Sequence, residues 1–126
     1  MTPQNPSSAF FDAKYLAHLA QSASNDAFVK QHSVLADFTV GFRDTDSNVT
    51  AWIRVQEDQI SAGLTDMPSA FCFEGSSASF DLLKNGTPFN RLVRQHRLTV
   101  TGNLRHCVQN WLLIYAITRL TATPEH

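Results

Sequence analysis

Apolar and polar residues alternate with a period of two in three consecutive stretches. Over residues 36–43 the apolar members are Ala36, Phe38, Val40 and Phe42, with Asp37, Thr39, Gly41 and Arg43 between them. Over residues 49–56 Val49, Ala51, Ile53 and Val55 share one face, and Thr50, Trp52, Arg54 and Gln56 the other. Ile60, Ala62 and Leu64 continue the pattern. Such alternation predicts half-buried strands. The intervening Asp44-Thr45-Asp46-Ser47-Asn48 and Glu57-Asp58 are turn chemistry. Short connections predict an antiparallel meander with one apolar face. After the break at Thr65-Asp66-Met67-Pro68, residues 70–74 predict a fourth strand, and residues 98–101 a fifth.

The remaining apolar residues recur at helical spacing. Phe11, Tyr15, Leu16 and Leu19 fit one face of a helix over residues 9–23. Ser24-Asn25-Asp26 interrupts it and caps a second, short helix holding Phe28 and Val29. Ser77 caps a helix containing Phe80, Leu82 and Leu83, which leaves through Asn85-Gly86. Thr87-Pro88 opens another, with Phe89, Leu92 and Val93 inward. The last strand ends at Gly102-Asn103, where Asn103 caps a long helix. Its apolar stripe is expected at Leu104, Cys107, Val108, Trp111, Leu112 and Tyr115. Strands with one apolar face, served by separate helices, make an α+β two-layer domain. Residues 1–126 are expected to form a single domain, with residues 1–8 disordered, helices over 9–33, and the sheet and its covering helices over 34–120.

Composition sharpens this picture in two places. Nine phenylalanines in 126 residues mean a bulky core or an apolar cavity. Every acidic residue except Glu125 lies at or before Asp81, whereas Lys84, Arg91, Arg94, Arg97, Arg105 and Arg119 follow it. Those arginines either pair with carboxylates of the first half or face an anionic headgroup or acidic partner. Near-neutral overall charge and the lack of a basic-aromatic motif argue against nucleic acid. No run approaches the roughly 18 apolar residues of a membrane span, and MTPQNPSS is not a signal peptide. A cytoplasmic location is expected. Cys72 and Cys107 lack ligand spacing and read as buried thiols.

In order and spacing the chain resembles the sterol carrier protein-2 domain family over residues 28–120. The meander with Trp52 in its second strand carries the resemblance. So do the Phe80-Asp81-Leu82-Leu83-Lys84-Asn85-Gly86 block and Leu98-Thr99-Val100-Thr101-Gly102-Asn103 before an apolar helix. The resemblance implies a five-stranded, mainly antiparallel sheet covered on one face by helices. It also implies an apolar tunnel between the layers that binds fatty acids, acyl-coenzyme A esters, sterols or related lipids without catalysis. The chain departs from the family at Gln95-His96-Arg97, where a glycine usually precedes the last strand, and it lacks a peroxisomal terminus.

Candidate ligand-binding residues follow from the sheet's apolar face and the helices over it. From the strands they are Phe38, Val40, Phe42, Ile53, Phe71 and Phe73. From the helices they are Phe80, Leu83, Phe89, Leu92, Trp111, Leu112 and Tyr115. The same side chains also suit a plain interlocked core. No cofactor is expected, and the partners implied are an apolar small molecule and an enzyme of lipid metabolism, with at most transient contact with a membrane surface.

Two other readings stay open. One is a small α+β isomerase or dehydratase of the nuclear-transport-factor-2 type, with Glu74 or a histidine as acid or base. Ending on a helix counts against it. The other is an accessory domain with a collapsed cavity that binds a partner enzyme. The five histidines lack HxH or HExxH spacing, and neither a Gly-rich phosphate loop nor a GxSxG elbow is present.

Overall fold

The computed structural model describes residues 9–57, 59–65 and 67–122, with the side chains of residues 121 and 122 not described. The first eight residues, expected to be disordered, lie outside this range, as do Asp58 and Asp66 of two expected turns. Five strands form one sheet: β1 (Asp37–Asp44), β2 (Val49–Gln56), β3 (Gln59–Gly63), β4 (Phe71–Gly75) and β5 (Leu98–Gly102). Their spatial order is β3-β2-β1-β4-β5. All neighbouring pairs are antiparallel except the central β1–β4 pair, which is parallel and sets Val40 beside Phe71 and Phe42 beside Phe73. The parallel pair follows from connectivity, since the chain must cross from the β3 edge past two strands before β4 begins. Gly63, at the end of β3, gives the Trp52 ring its place: a Cβ there would stand 2.7 Å from the indole. The indole N–H donates to Thr65 Oγ1 at 3.1 Å.

Six helices accompany the sheet: α1 (Ala13–Asn25), α2 (Ala27–His32), α3 (Ser77–Lys84), α4 (Phe89–Arg94), α5 (Leu104–Gln109) and α6 (Trp111–Thr118), followed by a 3-10 turn, Arg119–Ala122. Side-chain caps set several boundaries. Asp12 accepts from Tyr15 N–H, Asp26 from Val29 N–H, and Asn103 from His106 N–H. The α3 cap is Ser76, one residue before the expected Ser77, and α4 begins after Pro88 with no side-chain cap. The first helix starts later than its apolar spacing suggests. Phe10 and Phe11 precede it as a buried plug, because Asp12 competes for the free N–H groups. Phe10 lies 5.1 Å from Phe42 and 5.5 Å from Phe80, ring centre to ring centre.

A carboxylate locks the β1–β2 turn to α3. Asp44 is fully buried and accepts from the backbone N–H groups of Asp46 and Ser47 and from the Ser77 hydroxyl. Asp46 accepts from Ser77 N–H. Two acidic side chains at the first turn of α3 also complement the positive end of its dipole.

The closing segment corrects the expected apolar stripe. The helix is divided at Asn110, whose side-chain amide donates to His106 O at 2.9 Å. The inward residues are Cys107, Leu113, Ile114, Ala116, Ile117 and Thr118. Leu104, Val108, Leu112 and Tyr115 are instead exposed, by 56, 66, 54 and 37%. The reason is compositional. Both sides of α6 are apolar, so periodicity identifies a helix without choosing the side that meets the sheet. Phe28 is likewise exposed, stacked on His32 at 4.0 Å.

Candidate functional site

The apolar face of the sheet and the inward side of α6 enclose a narrow crevice. Phe38, Val40 and Phe42 of β1 and Ile53 of β2 form its floor, and Ile114, Ile117 and Thr118 its roof. Strand alternation puts the floor residues on one face. Helical spacing of three and four does the same for the roof. The crevice is closed by these side chains and has no room for a water-sized sphere. Thr118 contributes no unsatisfied polar atom, because its hydroxyl donates to Ile114 O at 2.8 Å within the helix. The lining therefore offers dispersion contacts and no polar anchor.

The other expected ligand residues distribute around this crevice. Phe71 and Phe73 stand on the same sheet face, stacked on Phe38 and Phe42 at 5.8 and 5.9 Å. Phe80 and Leu83 are buried on α3, where Phe80 packs on the Phe10–Phe11 plug and meets the floor residue Phe42 edge to face at 6.4 Å. Phe89 and Leu92 are buried on α4, and Phe89 bridges Phe73 at 5.4 Å and Trp111 at 4.5 Å. Trp111 is half-buried. Leu112 and Tyr115 do not reach the crevice, since they lie on the outward side of α6. Ile114, Ile117 and Thr118 occupy the positions expected for them. Their signal in the sequence was a second stripe, Cys107, Ile114, Ile117 and Thr118, as apolar as the one first read.

A second, polar cleft of about 480 Å³ opens at the other end of β4, between Ser76, Ser79, His96, Arg97 and Thr99, with Glu74 and Thr45 at its rim. His96 sits in the left-handed region at φ 61°. It occupies the Gln95-His96-Arg97 turn before β5, which takes a left-handed backbone with a side chain on it. Glu74, the carboxylate considered for acid–base work, lies 3.8 Å from the Arg43 guanidinium. Arg54 pairs with Asp37 at 3.1 Å and donates to Thr39. Among the described residues no such partner meets Arg91, Arg94, Arg97, Arg105 or Arg119, all exposed. The described residues contain no group of three or more His, Cys, Asp or Glu able to hold a metal. Burial pushes both thiols up to about 11; at Cys72 the nearby Glu74 adds to this and Arg43 opposes it. Both stay protonated at neutral pH and are poor nucleophiles.

Comparison with solved structures decides the architecture. A crystal structure of sterol carrier protein 2 superposes with a TM-score of 0.75 at 8% identity, covering 91% of this chain and 98% of that one. The chain has the sterol carrier protein 2 fold. A sterol carrier protein domain 2 from Helicoverpa armigera matches at TM-score 0.63 and 17% identity, over 97% of this chain and 98% of that one. Part of this chain also superposes on part of a sec-alkylsulfatase from Pseudomonas sp., at TM-score 0.53 and 9% identity, covering 67% of this chain and 14% of the sulfatase. No protein-family profile matches the chain, and no curated protein matches it in sequence. Among the described residues no helix is long and apolar enough to cross a membrane.

Proposed function

We propose that the chain binds an apolar ligand of the lipid class between the sheet and α6, without catalysing a reaction on it. The observation that carries this reading is the crevice roofed by Ile114 and Ile117, which is apolar throughout and lies between the two layers of a sterol carrier fold. Its present width admits no water, so binding requires α6 to move away from the sheet. A lipid chain then replaces contacts between Ile117 and the Phe38–Phe42 row with equivalent apolar contacts, at little cost in desolvation. With no polar anchor in the lining, selectivity rests on shape and length. A fatty acid, acyl ester or sterol head would stay at the mouth.

Native mass spectrometry of the purified protein, followed by organic extraction, tests this directly. The expected result is a lipid at near one per chain, displaceable by a fluorescent fatty acid. Ile117→Trp puts a ring where the ligand chain would open the crevice; it should abolish displacement while circular dichroism shows a folded protein, and a variant that unfolds instead marks the crevice as packed core and overturns the reading. A protein that is empty and ignores fluorescent fatty acids overturns the carrier reading. Two observations favour a second reading as an accessory domain: the crevice is already closed, and two thirds of this chain superposes on a small part of a sulfatase chain. That reading expects no lipid and a stable complex with an enzyme.

A further inference from the structure

The outward side of α5 and α6 is an unpartnered apolar stripe. Leu104 and Val108 lie one turn apart on α5, Leu112 and Tyr115 one turn apart on α6, and all four are exposed on the two sides of the Asn110 break. Arg105 stands three residues before Val108 on α5, and Arg119 four residues after Tyr115 in the 3-10 turn, so an arginine lies near each end of the segment. Both are exposed, and among the described residues neither has an ion-pair partner. No acidic residue occurs between Asp81 and Glu125 to offset them. The opposite side of α6 roofs the crevice. This helix therefore has an apolar side on the core and an apolar side on solvent.

We propose that the stripe formed by Leu104, Val108, Leu112 and Tyr115, with Arg105 and Arg119 at its ends, seats the protein on an anionic lipid surface. A helix lying in the interface sinks its aliphatic side chains below the headgroups while flanking cations meet phosphate. Tyr115 suits the boundary, with an apolar ring and a polar tip. Charge complementarity selects this occupant over a second copy. Two copies docked stripe on stripe, in either direction, bring arginine against arginine at both ends, with no carboxylate on the helices to compensate. Val34 and Leu35, 59 and 95% exposed, sit in the connection between α2, which packs on α6, and β1, whose Phe38 meets His106 of α5 at 6.0 Å. They add apolar surface beside the closing helices. The docking deepens the carrier reading, on which its purpose rests: the helix that meets the bilayer is the helix that must move to admit a lipid.

Flotation with phosphatidylcholine vesicles, with and without phosphatidylglycerol, tests the proposal on the full chain. The expected result is flotation with phosphatidylglycerol vesicles only, weakening as salt rises. Arg105→Gln and Arg119→Gln should each weaken partitioning about fivefold. Leu104→Asp with Val108→Asp should lower it by at least roughly tenfold, with the circular dichroism spectrum and melting curve retained. Fluorescent fatty-acid binding in vesicle-free solution should be unchanged in these variants, whereas Ile117→Trp should lose it and still float. The two failures thus read separately: absence of fatty-acid binding by the unsubstituted protein, with its flotation intact, removes the carrier reading alone. No flotation, or flotation indifferent to the Leu104 and Val108 substitutions, overturns the docking proposal. So does a dimer in analytical ultracentrifugation that the same pair of substitutions dissolves, which would assign the stripe to a second copy. A stable complex with an acidic protein in place of vesicle binding would overturn it equally.

Discussion

The two sides of the closing helical segment share a chemistry and differ in environment. Inward, Ile114, Ile117 and Thr118 face the Phe38–Phe42 row and Cys107 is buried with them; outward, Leu104, Val108 and Leu112 are more than half exposed. Hydrophobicity alone does not separate them. What separates them is the company they keep. The inward side includes a hydroxyl bonded back to its own helix and no charge, whereas the outward side has an arginine near each end of the segment. A buried stripe selects for satisfied polar atoms, because an unpaired one costs free energy. A stripe that meets a charged surface tolerates and uses flanking cations. Charge at the ends of an apolar stripe is thus the better guide to what covers it.

The largest expected effect contrasts the two sides of a single turn of α6. Ile114→Asp places a carboxylate against phenylalanine rings and should cost at least about 4 kcal/mol, enough to unfold a domain of this size at moderate temperature. Leu112→Asp should change stability by no more than about 0.5 kcal/mol. Urea denaturation of both variants checks the pair. Equal destabilisation would show that Leu112 is covered in solution and erase the distinction between the sides.

Phe89→Ala probes where the two sides meet. Its ring holds Trp111 at 4.5 Å and Phe73 at 5.4 Å, so truncation should cost roughly 3–5 kcal/mol and raise the accessibility of the indole to acrylamide quenching. Trp52, packed over Gly63 at the far edge, should quench as before. A third substitution supplies the control for stability loss away from both sides. Asp44→Ala leaves the Ser77 hydroxyl and two backbone N–H groups without their acceptor, and should cost roughly 2–3 kcal/mol. Vesicle flotation of the surviving folded protein should match the parent. A parallel loss of flotation would mean that global loosening, rather than the stripe, governs docking.

The same contrast explains what could be read from the chain. The strands were legible because each has one apolar and one polar face, and a period of two leaves a single choice. Asn103 was legible as a cap, and the Ser24-Asn25-Asp26 cluster as holding one, because short polar side chains before an apolar run have a specific partner to satisfy; the structure gives that role to Asp26. The parallel β1–β4 pair was not, since the direction of β4 depends on a long-range crossing. Phe10 was missed because it anchors the core from outside any helix. The roof residues Ile114, Ile117 and Thr118 were missed because α6 carries two competing apolar sides, and the better amphipathic match to α5 lay on the exposed one. His96 was noticed only as a missing glycine; its φ of 61° gives the turn a left-handed backbone. His96→Gly should stabilise the protein by about 1 kcal/mol at most, read as a rise in melting temperature.

The smallest effect gives the sharpest local test, because Cys107 and Val108 are neighbours on opposite sides. Burial raises the Cys107 thiol from 9.0 to about 11. At pH 8 its thiolate fraction is therefore about a hundredfold below that of an ordinary thiol, before access is counted. A thiol introduced by Val108→Cys should alkylate with iodoacetamide at the rate of a solvent-exposed cysteine, while Cys107 stays intact until the protein is denatured. The same shift has a signed consequence for stability. Between pH 9 and about 11 the folded state retains a proton that the unfolded state has released, so the unfolded state binds fewer protons and stability falls as pH rises. The contribution is complete below pH 9 and gone above about 11. Cys72, raised to the same value, adds to the slope in the same window. Replacing Cys107 with alanine should flatten that part of the profile and leave flotation unaltered. Comparable alkylation rates at positions 107 and 108 would mean that α5 turns on its axis or detaches, and the inward and outward sides would lose their separate meaning.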